Sequence, residues 1–259
     1  MSVRARRRPR AISLSLAAVA GVSLLLLPLG APLLAELEER QAYVETAVIG
    51  GGVLAGVVTG AAPATPPNDA IVNRDQSICG ERKPQEAIIR ADDGAIKNAV
   101  VYIQGIAAGK AIDRSVTLKF DNHACGFIPH VLAIAIGQRL EITNSDPVLH
   151  NTHAYLDGTQ TIFNVALPVQ NQRIPKTIRK PGLMRVQCDA GHGWMLAWIY
   201  AFDHPYFAVT DGKGSFRIDQ VPPGTYKVTA WQEELGTETQ EVTIAAGQAP
   251  SITFEHLSK

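Results

Sequence analysis

Leu183-Met184-Arg185-Val186-Gln187-Cys188-Asp189-Ala190-Gly191-His192-Gly193-Trp194-Met195 is the stretch on which the fold turns. Its first half alternates: Met184, Val186 and Cys188 share one face, while Arg185 and Gln187 share the other, as in a half-buried strand. Cys188 therefore faces a sheet interior. Pro181-Gly182 turns the chain into this strand. The loop that leaves it carries an imidazole and a thioether shortly after the thiol. Thiolate, thioether and imidazole form a soft donor set that selects copper over hard cations, and a His₂Cys site with a long axial Met needs one more imidazole.

Upstream, Asn144-Ser145-Asp146-Pro147-Val148-Leu149-His150-Asn151 supplies that candidate. The predicted metal ligands are His150, Cys188, His192 and Met195, with Asn151 bracing the Cys188 loop by hydrogen bonding. His153 lies three residues past His150, so on an extended strand it faces the other way and reads as a surface or supporting residue. Trp194 either lies on the exposed rim or caps the site from water. A nucleophilic Cys188–His192 pair would need a third, orienting group, and Asp189, adjacent in the strand, points away from Cys188. Met is a poor zinc ligand. The expectation is an electron carrier or binding protein rather than an enzyme.

The surrounding chain reads as β structure. Val116–Phe120, Val131–Ile136, Arg139–Asn144 and Phe163–Leu167 are predicted strands. Met195–Phe202 is apolar on both faces, small at Ala197, Ile199 and Ala201 and bulky at Leu196, Trp198, Tyr200 and Phe202. Such a strand is covered on both sides, so its bulky face should pack on a second layer. From Tyr206 onward, short strands alternate with turns about every ten residues, as in a small β-sandwich. Upstream, strands are predicted at Val53–Thr59, Ala87–Arg90 and Ala99–Gln104, a loop over Ala61–Asp69, a turn at Asp92-Asp93-Gly94 and a short helix over Glu36–Ala47.

The 259 residues carry no net charge, but residues 1–35 hold five arginines and no acid. Setting those five aside leaves 19 basic residues against 24 acidic, a net of −5. Nothing resembles the basic stripe that nucleic-acid binding requires. The arginines followed by the apolar run Ala11–Ala35 form an export signal. The run is also long enough to stay as a single-span membrane anchor, since about 20 apolar residues cross a bilayer. Either way the folded part is expected in the periplasm or outside the cell. Of three cysteines, Cys79 and Cys125 each precede Gly in turn-like stretches away from the Cys188 motif. They are expected to form a disulfide, leaving Cys188 free for metal.

Phe127 to Phe202 resembles the cupredoxins, the plastocyanin- and azurin-like copper proteins. Phe127-Ile128-Pro129, Gly137, Asn144 and His150-Asn151 follow the order of the family's first half, and Pro181-Gly182 to Met195 that of its second. By position the family's ligands fall on the same four residues. The loop departs from the family: three residues separate Cys188 from His192, where plastocyanin-like loops have two and azurin-like loops four. That spacing is similar to the binuclear copper domain of cytochrome oxidase, but the second cysteine such a centre needs is Met184 here. Residues 206–256 resemble the carboxypeptidase regulatory-like, transthyretin-like domains, on Thr210-Asp211-Gly212-Lys213-Gly214-Ser215-Phe216 and Val221-Pro222-Pro223-Gly224-Thr225-Tyr226. Gly52–Thr59 and Asn98–Gln104 look like that family's opening strands.

The resemblances imply an all-β chain: a Greek-key cupredoxin β-barrel or sandwich plus a second, smaller Ig-like or transthyretin-like β-sandwich. The expected divisions are a signal at 1–35, a helix or linker at 36–47, a cupredoxin-like domain with an N-terminal β extension at 48–203 and the second sandwich at 204–259, with the first inserted into or packed against the second. The expected cofactor is copper, and the expected function type-1-like electron transfer with a redox partner protein. The alternatives are copper storage or delivery, or a β-sandwich binding carbohydrate or protein with a vestigial metal site.

Overall fold

The computed structural model describes residues 42–60, 69–84, 89–90 and 94–259. The expected signal or anchor at 1–35 lies outside them, as do most of the Ala61–Asp69 loop, the first half of the Ala87–Arg90 strand and the Asp92-Asp93 turn. No helix among the described residues is long and apolar enough to cross a membrane. Apart from one helical turn, Gln76–Cys79, the regular structure of the described residues is all β, and its sheets are open layers of a sandwich rather than a closed barrel.

Residues 117–202 build two of these sheets. One orders the strands Gly126–Ile128, Thr117–His123, Arg139–Asn144 and Arg173–Thr177; the other orders Val131–Ala135, Leu196–Phe202, Gly182–Gln187, His150–Leu156 and Gln160–Leu167. The inward residues of both, among them Phe120, Ile142, Ala154, Met184, Val186 and Ile199, form one core that includes Cys188 and Met195. Alternation explains the register. Met184 and Val186 are fully buried while Arg185 between them is exposed. Each such buried aliphatic side chain contributes about 1.5–3 kcal/mol, so a one-residue slip is strongly disfavoured.

The second sandwich draws strands from both ends of the chain. Gly52–Val58 pairs antiparallel with Ser215–Val221 and parallel with Ser251–Phe254. Val100–Ile103 lies between Phe207–Val209 and Gly224–Gln232, and Gly236–Ile244 completes that sheet. Strand pairing therefore redraws the expected 48–203 grouping: Gly52–Val58 and Val100–Ile103 belong with the C-terminal strands, and 117–202 sits between them in sequence. Leu54, Val58, Val101 and Ile103 explain this, because their fully buried side chains complete a core with Ile218, Val228, Ile244 and Phe254. Gly56 permits the close parallel pairing, since a Cβ there would lie 2.0 Å from the Ile252 carbonyl oxygen.

The described end of the expected Glu36–Ala47 helix is instead a two-residue strand, Val44–Glu45, parallel to Ala108–Gly109. The Val44 and Thr46 amides donate to the Ala107 and Gly109 carbonyls at 2.8 and 2.7 Å. Tyr43 packs on the second core while its neighbour Val44 is exposed. That opposition of adjacent side chains suits a strand and not a helix.

The bulky face of Leu196–Phe202 finds the layer expected for it. Trp198, Tyr200 and Phe202 cluster with Val131 and Ala133 on their own sheet and with Val100, Tyr102, Phe207 and Trp231 of the second sandwich. Trp198 and Trp231 meet edge-on at 5.5 Å between ring centroids. Glu233 from the second sandwich is almost wholly buried and accepts hydrogen bonds from His130 Nε2 and Trp198 Nε1.

Candidate metal centre

His150 and Cys188 stand at the ends of strands in one sheet. His150 opens His150–Leu156, and Cys188 directly follows Gly182–Gln187, which pairs with it. The turn before His150 is held by Asn144, whose Nδ2 donates to the Val148 carbonyl at 2.9 Å and whose Oδ1 accepts the Asp146 amide at 3.0 Å. After Cys188 the chain closes a turn in which the Met195 amide donates to the His192 carbonyl at 2.9 Å. Gly191 is required there: its φ is +95°, and a Cβ would lie 2.9 Å from the Arg74 side chain. That turn folds His192 back over the strand ends.

One donor atom each from His150, Cys188 and His192 lie within 4.8 Å of one another, all three residues buried. His192 Nδ1 is 3.0 Å from His150 Nδ1 and 3.6 Å from Cys188 Sγ. Asn151 donates its backbone N–H to Cys188 Sγ at 3.3 Å, and its Oδ1 accepts the Asp189 amide at 3.2 Å. Met195 is buried in the same core cluster as Cys188. Trp194 rests against the His192 ring at 5.1 Å between centroids and donates Nε1–H to the Cys125 carbonyl at 3.1 Å, so it covers the site.

Each imidazole is held at its far nitrogen by a carboxylate. His150 Nε2 donates to Asp146 at 2.9 Å, and His192 Nε2 donates to Asp75 at 2.8 Å. Such carboxylate–histidine pairs orient the ring and raise the basicity of the other nitrogen. Burial alone would lower the pKa of His150, but the Asp146 carboxylate, helped by Cys188, outweighs it and holds it at about 9. His192 is pushed down, by burial first, with the adjacent His150 adding to it against Asp75. Burial opposes ionisation of Asp146, yet bonds from His150 and from the Cys125 and Ala124 amides hold its pKa low. The protonated form of His150 is thus favoured, and its Nδ1 lies 3.0 Å from His192 Nδ1.

Cys79 and Cys125 form a disulfide and Cys188 is the free cysteine. The bridge removes Cys125 as a thiolate donor from a second grouping, Cys125–Asp146–His150. His153 faces away from the cluster as the strand period requires, bonding Asp189 at 2.5 Å and Thr161 at 2.8 Å. His130 is engaged by Glu233, and His204 is buried and accepts the Tyr206 amide at 3.1 Å. Sequence reasoning missed Asp146 and Asp75. Asp146 stood four residues before His150, at a turn-adjacent position that invites such a contact. Asp75 lies 117 residues from His192 and no local signal marks it.

The family model for polysaccharide lyase family 4, domain II, matches residues 189–252. Two curated relatives are rhamnogalacturonate lyase A and a probable rhamnogalacturonate lyase A, both of Aspergillus niger, each 36% identical over 63 residues. The match covers 24% of this chain, and the chain spans only 12% of the relatives' length. Among solved structures, a purple cupredoxin from Nitrosopumilus maritimus is 22% identical with a TM-score of 0.29, covering 33% of this chain and 99% of that one. A copper-containing nitrite reductase from Thermus scotoductus is 22% identical with a TM-score of 0.29, covering 34% of this chain and 22% of that one. Two sequence expectations change. The family model that matches residues 189–252 is a polysaccharide lyase domain, where the turn motifs had suggested a carboxypeptidase regulatory-like domain over 206–256. The expectation that the chain is not an enzyme is overturned, because the matched domain belongs to a family of lyases.

Proposed function

We propose that this chain is an exported copper-binding protein with a mononuclear site on His150, Cys188, His192 and Met195 that carries single electrons to and from a redox partner. The observation that supports it most is the convergence of three buried donors within 4.8 Å. The donor chemistry fits: one soft thiolate and two imidazoles suit copper, and Met195, buried in the same core as Cys188, would add a thioether. Bound copper would supply a one-electron couple. The chain's own residues orient the two imidazoles through Asp75 and Asp146, hold the sulfur with the Asn151 amide and exclude water with Trp194. Voltammetry of the copper-loaded protein tests this reading: a reversible one-electron wave supports electron transfer. A site that takes up Cu(I) and cannot be reversibly oxidised makes it a storage or delivery site.

A second reading rests on the lyase-family match over residues 189–252. In it the C-terminal sandwich is a carbohydrate-related module that engages an acidic polysaccharide of the rhamnogalacturonate type. Retardation of the protein in gels containing that polysaccharide supports this reading, and unchanged mobility removes it.

A further inference from the structure

Residues 69–84 form a strap beside the candidate metal centre. Its ends pair as short strands, Ala70–Ile71 against Arg82–Lys83. Its middle is a single helical turn, Gln76–Cys79, whose amides at Ile78 and Cys79 close on the Asp75 carbonyl at 2.9 and 2.8 Å. Val72 and Cys79 are buried in the first core, and Arg74 lies over Gly191. From this turn the Asp75 carboxylate reaches His192 Nε2. Asp75 itself sits at φ +51°, a left-handed conformation uncommon for a residue with a side chain, though Asp and Asn tolerate it best.

The disulfide links this turn to the loop that anchors the other carboxylate. Cys79 ends the turn that Asp75 begins. Its partner Cys125 donates its amide to Asp146 at 2.8 Å, the Ala124 amide donates to the same carboxylate at 2.8 Å, and Asp146 holds His150. The contacts close a ring: His192, Asp75, Cys79, Cys125, Asp146, His150.

We infer that Asp75 and Asp146 are the positioning residues of the metal site and that the Cys79–Cys125 bridge couples them, so that His192 is presented as a ligand only while the strap is docked. The inference rests on the copper reading for its ligand, but the docking of the strap on His192 stands without it. A carboxylate on the far nitrogen of each imidazole places negative charge beside the ligands, that of Asp75 partly offset by Arg74 at 3.5 Å, and this favours Cu(II) over Cu(I).

The test uses the full chain and Cu(II) ion alone. Asp75→Asn should weaken Cu(II) binding about 10- to 100-fold and raise the reduction potential, and Asp75→Glu should recover part of both. Asn tolerates the left-handed backbone, so the change reports the carboxylate. In metal-free protein, amide exchange across residues 189–195 should rise in Asp75→Asn, a readout that needs no copper. Removing the bridge by Cys79→Ala with Cys125→Ala should act in the same direction. In that background Asp75→Asn should add less than about twofold, because coupled residues are not additive. Independent, multiplying effects would overturn the coupling. If the bridge-free protein does not fold, the Asp75 variants decide alone: affinity within about twofold of wild type with unchanged exchange across 189–195 overturns the strap's role. Failure of the wild type to bind copper would remove the copper reading, while the exchange experiment would still decide whether Asp75 holds the His192 loop.

Discussion

Replacing Asp146 by alanine in the metal-free protein should cost about 3–5 kcal/mol, although the side chain lies in a turn. Asp146 is 5% exposed, and its carboxylate accepts three bonds, from the Ala124 and Cys125 amides at 2.8 Å and from His150 Nε2 at 2.9 Å. His150 is fully buried and its pKa stands at about 9. The net lift from about 6.5 to about 9, at about 1.36 kcal/mol per pH unit, corresponds to about 3 kcal/mol left after the cost of burial, and Cys188 supplies part of it. The buried Cys125 amide, left without an acceptor, adds about 1–3 kcal/mol; the Ala124 amide is near the surface and rehydrates. Urea unfolding of both proteins at pH 7 measures the difference. Because the imidazole pKa is raised, its contribution is complete below about pH 6.5 and is lost as pH rises through about 9. The gap between wild type and Asp146→Ala should therefore narrow over that interval. A loss below about 1 kcal/mol at pH 7, of the size expected for an exposed ion pair, would refute the claim that this carboxylate holds His150.

Glu233→Ala should destabilise the chain by about 3 kcal/mol or more, since it strips partners from His130 and Trp198 where the two sandwiches join; a change in melting temperature no larger than that of an exposed Glu→Ala control would contradict this. Gly56→Ala should cost about 1–3 kcal/mol, because its Cβ would lie 2.0 Å from the Ile252 carbonyl oxygen; unfolding at the wild-type urea midpoint would show that the strands separate freely. For Asp121, burial opposes ionisation, but bonds from Thr143, Ser145 and Lys119 outweigh it and hold its pKa below the usual carboxylate range. Its stabilisation is present above about pH 3.9 and is lost as pH falls through the lowered value. The stability difference between wild type and Asp121→Asn should thus shrink on acidification, and a difference independent of pH between 2 and 6, roughly the range bracketing carboxylate titration, would count against it.

Much of the fold was legible because its signals are local. The alternation of Met184, Val186 and Cys188 fixed the facing of the strand that presents the thiol, and the doubly apolar Leu196–Phe202 announced a second layer, which the aromatic cluster with Trp231 and Tyr102 supplies. The pairing of Gly52–Val58 with Ser251–Phe254 was less legible, because parallel contacts between strands some 200 residues apart leave no periodic trace. The Glu36–Ala47 reading failed at its described end for a related reason: with few apolar residues to set a period, the partner strand Ala108–Gly109 decided the conformation. At the site, the donor types and their loop order pointed to His150, Cys188 and His192, which the structure brings together. The groups that orient the imidazoles did not show, because Asp75 reaches His192 only through a strap whose course depends on a disulfide.

The visible and electron paramagnetic resonance spectra of protein reconstituted with one equivalent of Cu(II) decide whether the Cys188 thiolate and two imidazoles hold copper, as we propose. Strong visible thiolate-to-copper absorption is expected, together with its disappearance in Cys188→Ala. A colourless Cu(II) protein, or a spectrum that Cys188→Ala leaves unchanged, would contradict it.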